Sequence, residues 1–146
     1  MLCILFSCII FSCNNNTNTD QASNSSADKS FTAFVNRFMD AYWQQNPSAA
    51  IYAGYGKYYD ALKIPDNAAM QSDIAFAKKY LDSLGGFSSS ELSANNKIDL
   101  LILQNQLQAS VWYADTFKIQ EWDPSGYNIG GECYEIINQK YAPLNK

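Results

Sequence analysis

The chain has 146 residues, of which 47% are hydrophobic and 16% are charged, and its formal net charge is −4 at pH 7. Without a leader and a polar linker, this length leaves enough residues for one small domain with its own core. The acidic balance disfavours nucleic acid and anionic membrane surfaces as partners, because both are bound through basic patches.

The first segment, Met1 to Ser12, carries no charge and is almost entirely apolar. It is too short to cross a bilayer as a helix, but it has the length of a signal-peptide core. Ile10-Phe11-Ser12-Cys13 resembles a bacterial lipobox, so we predict that 1–12 is a cleaved signal peptide and that Cys13 is lipidated. The leader lacks the usual Lys or Arg and Phe11 is bulky for a lipobox, which keeps cleavage without lipidation as an alternative.

Residues 14–27 read NNNTNTDQASNSSA and contain no aromatic or large aliphatic side chain. Such a segment buries too little apolar surface to offset the entropy lost on ordering. We therefore predict a lipidated cysteine and disordered tether over 13–29, followed by a helical domain over 30–146. The expected location is the bacterial cell envelope, anchored by lipid at the periplasmic or outer-membrane face.

Aromatic and aliphatic residues then recur at helical spacing and leave polar residues on the opposite side. This pattern predicts an amphipathic helix that begins at a cap, Asp28 or Ser30, and ends before Pro47. The predicted apolar stripe consists of Phe31, Phe34, Val35, Phe38, Tyr42 and Trp43.

Asn46 is expected to cap a short second helix, which starts at Pro47 and runs to Gly54. The turn that follows is rich in glycine and tyrosine. Tyrosine offers a flat apolar face and a hydroxyl, so these rings either pad the edge of a core, the commoner role, or line a ligand cleft. The candidate cleft-wall residues here are Tyr55, Tyr58 and Tyr59.

Two longer helices are predicted downstream. Asp66 is a suitable cap for the first, which ends at Gly85-Gly86. Ser93 is expected to cap the longest helix, over about 94–117, whose apolar residues spread around its circumference, so that it should be buried on several sides. One face carries Ile98, Leu101, Ile102, Ala109, Trp112 and Tyr113, and the apolar surface is extended by Leu100, Leu103, Leu107 and Val111.

The segment 121–128, EWDPSGYN, combines helix-breaking residues with two carboxylates and two aromatic rings, Trp122 and Tyr127, which are the other candidate cleft-wall residues. Its carboxylates lack a histidine, lysine or metal partner that would suggest catalysis, so a structural turn is the favoured interpretation. A last helix follows Gly130-Gly131. It carries Cys133, which is expected to be buried and unreactive.

Four motifs occur in order: F-x-x-F-x-x-R-F-M-D-A-Y-W-x-x-N-P-S-x-A-x-Y-x-G-Y, DIAFAKKYLDSL, LSANNKIDLLILQNQLQASVW and EWDPSGYNIGG. This set, covering roughly 30–144, resembles the amino-terminal portion of the bacterial domain of unknown function 885 family (DUF885). The resemblance implies an all-α, irregular array of about five helices at the front of a longer helical protein. It also implies a zinc metallopeptidase whose later HExxH motif would carry the chemistry.

The chain has no histidine, whereas a zinc site of that type needs two imidazoles one helical turn apart with a carboxylate between them. We therefore assign no catalytic, cofactor-binding or metal-binding residue, and expect zinc and a peptide substrate only for a full-length protein. The prediction is a non-catalytic amino-terminal scaffold that is inactive alone. The alternative is a complete small helical envelope lipoprotein that acts as a binding or structural module.

Overall fold

The computed structural model describes residues 25–139, which contain five α-helices, short 3₁₀ turns, one turn of π-helix and no strand. The predicted all-α class is thus confirmed. The predicted signal peptide, Cys13 and most of the predicted tether lie outside the described residues. The helices are α1 (Ser26–Gln45), α2 (Pro47–Tyr52), α3 (Asn67–Leu84), α4 (Ala94–Trp112) and α5 (Gly130–Gln139).

Helices α1, α3 and α4 enclose the core. Three rings of the predicted stripe on α1, Phe31, Phe34 and Phe38, are buried, whereas Tyr42 and Trp43 are half-buried. The Phe38 ring lies edge-on to Tyr80 of α3 at 4.9 Å between centroids. At the end of α1, Gln45 Nε2 donates to Asp73 Oδ1, near the start of α3, at 2.8 Å. Earlier in α1, the Phe34 ring contacts Tyr80, later in α3, so the two helices run antiparallel.

The first turn of α1 is fastened to the first turn of α4. Asp28 is only 5% exposed, and its Oδ1 accepts from the Ser93 N–H at 2.9 Å and from Asn96 Nδ2 at 2.6 Å. Ser25 caps the helix by accepting from the Asp28 N–H at 3.0 Å. Because of these bonds α1 begins at Ser26, within the segment 13–29 that was predicted to be tether.

The corner between α1 and α2 is partly as expected. Pro47 is the first residue of α2, but the predicted cap by Asn46 is wrong, because that side chain makes no hydrogen bond to α2. Its Nδ2 instead donates to the Tyr42 carbonyl at 3.1 Å and so closes the end of α1. After α2 the chain turns at Gly54, whose φ of 71° lies in the left-handed region that glycine adopts readily.

The predicted caps of α3 and α4 are both present. Asp66 Oδ1 accepts from the Ala69 N–H at 2.8 Å, and Ser93 Oγ accepts from the Asn96 N–H at 3.5 Å. Helix α4 continues beyond Trp112 as the π-helical turn Tyr113–Phe117, which ends at Lys118 with φ 51°.

The prediction that α4 is buried on several sides is wrong for the described part of the chain. Leu100 and Leu107 are buried in the core, whereas Ile98, Leu101, Ile102 and Trp112 are exposed. The reason is that α1 and α3 cover α4 from one side. We call the four exposed residues the outer face of α4.

Helix α5 packs against α2, with a Cβ at Gly131 lying 3.4 Å from Tyr52 Oη. Cys133 on this helix is exposed, so the expectation that it is buried is wrong.

Candidate functional site

A cleft of about 450 Å³ opens between α3 and the turns that follow α4. Its floor is apolar and is formed by the buried side chains of Ile74, Ala77 and Leu107, which also line it. This volume falls within the range of small-molecule sites, roughly 300 to 1,000 Å³.

One wall of the cleft is built by the irregular segment after α4. The chain reverses at Lys118 and continues through the 3₁₀ turns Ile119–Glu121 and Pro124–Tyr127. Asp123 Oδ1 accepts from the Ser125 N–H at 2.9 Å, and this backbone hydrogen bond is the main reason why the pKa of Asp123 is below its ordinary value. Tyr127 Oη donates to the Gln120 carbonyl at 3.5 Å. These short-range bonds place Asp123 and Tyr127 on the wall.

The other wall carries an ion pair. Lys63 Nζ binds Asp73 Oδ1 and also donates to Asn46 Oδ1 at 3.4 Å. The same Asp73 oxygen accepts from Gln45. Lys63 therefore joins the connector before α3 to both α1 and α3, and its ammonium is already paired.

The charged residues that line the cleft are three carboxylates and one ammonium, which gives a formal charge of −2. Two of these carboxylates, Asp66 and Asp123, accept hydrogen bonds from backbone N–H groups at the starts of helical turns. Within residues 25–139 neither of them forms an ion pair with a basic side chain. The cleft is thus an apolar space with an acidic rim.

The five predicted cleft-wall residues lie in different surroundings. Tyr127 lines this cleft, whereas the Trp122 ring lies edge-on to Phe117 at 5.0 Å between centroids. The Tyr55 and Tyr58 rings are neighbours, 6.1 Å apart between centroids. Tyr59 lies against Gly56, with its ring 3.2 Å from the position of an added Cβ. Their role as a cleft wall stays a prediction.

Tyr55 and Tyr58 share one carboxylate of α1. Asp40 Oδ1 accepts from both tyrosine hydroxyls at 3.4 Å and forms an ion pair with Lys57. The hydrogen bond from Lys57 is the main cause that lowers the pKa of Asp40, and the same bond raises the pKa of Lys57. All partners of this exposed cluster belong to the turn and to α1, so it fastens the turn to the helix.

Sequence reasoning missed Lys63, Asp73 and Gln120 as lining residues of the cleft. Asp66 and Asp73 are seven residues apart, which places two acidic groups along the same side of a helix, and this signal was available in the sequence. The sequence contains no comparable signal for the pairing of Lys63 with Asp73, because this pairing depends on how the connector before α3 folds back against that helix.

A second notable surface is the outer face of α4 with the aromatic rings that continue it. The Trp112 and Phe117 rings stack at 5.2 Å between centroids, and Phe117 contacts Trp122. Trp112, Phe117 and Trp122 are all exposed. We call these three rings the aromatic cluster.

The residues of this chain do not fit the zinc site that the resemblance implies, because the chain lacks histidine. Among residues 25–139, no three acidic or cysteine side chains are grouped so that they could hold a metal ion. Across the same residues, no helix has the length and hydropathy needed to cross a membrane.

Neither a family model nor a curated protein sequence matches this chain. A solved structure described as a putative lipoprotein of unknown function from Shewanella oneidensis is similar to it, with 37% sequence identity and a TM-score of 0.74. The match covers 79% of this chain and 21% of that one, so this chain spans about a fifth of that protein's length. This similarity is consistent with an envelope lipoprotein held by a lipid anchor.

Proposed function

We propose that this chain is a non-catalytic helical scaffold of an envelope lipoprotein, anchored through Cys13, and that the outer face of α4 packs against a further helical part of the protein. The observation that carries the proposal is the pair of apolar surfaces on α4. Its inner surface fills the core with Leu100 and Leu107, while its outer face stays exposed.

Burial of an exposed face of this kind against a partner would contribute a large favourable free energy of association. Full burial of one Leu or Ile side chain is worth about 1.5 to 3 kcal/mol. The outer face presents three such aliphatic residues and Trp112, and the aromatic cluster extends it. Contiguous apolar patches on soluble proteins usually mark contact surfaces. A helix with an apolar face of its own would cover this one.

The similar solved structure supports a covering partner within the same polypeptide. Because the match covers 21% of that protein, about four-fifths of its length lies beyond the part that resembles this chain. A bundle similar to this one is there one part of a much larger molecule. In an arrangement of the same kind, the remaining part would supply the covering helix.

The peptidase component of the proposal rests on the resemblance to the domain 885 family. In a full-length protein of that type, zinc and its histidines would lie in a separate part, and the substrate would be a peptide. The present chain has no histidine, so we expect the purified chain to show no zinc-dependent peptide hydrolysis. Turnover that is lost on chelation and restored by zinc would contradict this.

The test of the scaffold role starts with the coding sequence after the codon for Lys146. A continuing frame with an HExxH motif on a predicted helix would supply the partner to be co-expressed. We then expect Leu101→Ser with Ile102→Ser to reduce co-purification of the two parts. Ile137→Ser, which alters an exposed aliphatic residue on α5, is the matched control. A stop codon directly after Lys146, or equal co-purification of both variants, would refute the proposal.

The anchor is tested separately. We expect mass spectrometry of the amino-terminal peptide to show acylated Cys13 and loss of residues 1–12. Cys13→Ser should abolish the lipid and release the protein from the membrane fraction, whereas Cys8→Ser should change neither. An intact leader, or an unmodified Cys13 in membrane-bound protein, would rule out this anchor.

The cleft favours the second candidate function, that of a binding module. An apolar floor with a few polar groups at the rim is the usual composition of a ligand site. This role is compatible with a scaffold and does not require the covering partner.

A further inference from the structure

We infer that the cleft between α3 and the turns after α4 binds a small amphiphilic cation, with an apolar or aromatic body and a protonated amino group. The inference depends on the shape and charge of the cleft and does not rest on the scaffold role. The amine can belong to a small molecule or to the free amino terminus of a short peptide.

The size and the floor define the body of the ligand. The cleft has a volume of about 450 Å³, and its floor of Ile74, Ala77 and Leu107 offers only hydrocarbon. Met70 and Tyr113 also line it. Because apolar surface gains free energy on leaving water, such a floor favours an aliphatic or aromatic group.

The rim defines the charge of the ligand. Lys63, the one basic residue among the lining residues, is paired with Asp73 and so contributes little free positive charge. Asp66 and Asp123 contribute two negative charges that no ion pair of the described chain neutralises. A cation in the cleft would be attracted by both, whereas an anion would be repelled.

Both carboxylates are also held in place. Asp66 is fixed by its bond to the Ala69 N–H, and Asp123 by its bond to the Ser125 N–H. A charge positioned before the ligand arrives loses little side-chain entropy on binding. The pKa of Asp123 is lowered, chiefly by that backbone bond, so this carboxylate is ionised at neutral pH.

The first test compares three ligands of similar shape. Isothermal titration of the full chain in mild detergent would use phenethylamine, 2-phenylethanol and 3-phenylpropanoate. We expect the amine to bind at least about tenfold more tightly than the alcohol, a difference of about 1.4 kcal/mol. The carboxylate should bind more weakly than the alcohol, and added salt should weaken only the amine. Equal affinity for the three, or no binding of the amine, would overturn the inference.

The second test uses variants. Asp66→Asn and Asp123→Asn retain a capping oxygen and should each lower the affinity for phenethylamine but not that for 2-phenylethanol. Asp99→Asn removes one charge from an exposed position on α4 outside the cleft and is the matched control. If all three variants weaken the amine equally, the effect comes from net charge and the site is refuted.

A third variant fills the cleft. Gly126 lines it, has no heavy atom within 4 Å of an added Cβ and does not have a left-handed φ, so the backbone tolerates a side chain at this position, and Gly126→Phe is the chosen variant. We expect it to abolish binding of both the amine and the alcohol while the melting temperature is retained. Unchanged binding in a folded variant would show that the ligand lies elsewhere.

A further titration identifies the source of the amine. The peptide Phe-Ala amide with a free amino terminus is compared with its acetylated form. Tighter binding of the free form supports a peptide amino terminus as the natural cation. Binding of phenethylamine without binding of either peptide supports a small amine instead.

Discussion

Adjacent leucines on α4 provide a sharp test of which surface of this helix is buried. Leu100 is 3% exposed and Leu101 is 62% exposed, although successive helical residues differ only by about 100° around the axis. Leu100→Ala removes buried hydrocarbon and leaves a cavity among core residues, which costs about 3 to 4 kcal/mol. Leu101→Ala removes exposed hydrocarbon and replaces it with a better helix former, so its effect should be within about 0.5 kcal/mol.

The assay is urea unfolding of the full chain in mild detergent, followed by far-ultraviolet circular dichroism. We expect Leu100→Ala to lower the midpoint strongly with an unchanged slope, and Leu101→Ala to leave both unchanged. A domain of this size has a stability of only about 5 to 15 kcal/mol, so the loss at Leu100 is readily measured. If Leu101→Ala is equally destabilising, the outer face is covered within this chain, and the main support for a covering partner is lost.

Three further predictions concern single residues. The pKa of Asp28 is lowered in the folded protein, chiefly because its carboxylate accepts from the Ser93 N–H, so the stabilisation from this group is present above its ordinary pKa of 3.8 and is lost as pH falls through the folded pKa. The melting temperature of Asp28→Asn should therefore fall less on acidification than that of the wild type. An identical pH profile of the two proteins would contradict this. Gly54→Ala forces a left-handed φ on a residue with a Cβ and should lower the free energy of unfolding by about 1 kcal/mol, although no atom crowds the new methyl group. An unchanged melting temperature would show that the turn relaxes. Cys133 is exposed, so iodoacetamide should alkylate it in the native protein at a rate similar to that in urea, as measured by peptide mass mapping. Much slower alkylation of Cys133 in the native protein would indicate that another part of the molecule covers it.

Much of the fold was accessible from local patterns. The spacing of Phe31, Phe34 and Phe38 predicts the buried side of α1, and the sequence also predicts the caps Asp66 and Ser93. Pro47 was correctly placed at the first position of α2. Each of these features is set by interactions within one or two helical turns, which the sequence displays directly.

The errors came where a local pattern allowed two outcomes. Asn46 lies between two helices, and its amide closes α1 rather than opening α2. Asp28 was considered as a cap, but its carboxylate accepts from α4, far along the chain, while Ser25 caps the helix. An amide or carboxylate has several suitable partners nearby, and packing decides which of them is reached.

The candidate site shows the same division. The sequence identified Tyr127 as a candidate cleft residue. Lys63 reaches Asp73 only because the connector before α3 folds back against that helix. Asp123 lies across from α3 only because the chain turns at Lys118. On α4 the sequence showed apolar residues around most of the circumference. Periodicity and capping are decided by neighbours along the chain and are therefore readable from sequence. Which apolar side of α4 is buried was decided only by the tertiary structure, because α1 and α3 pack against just one of them.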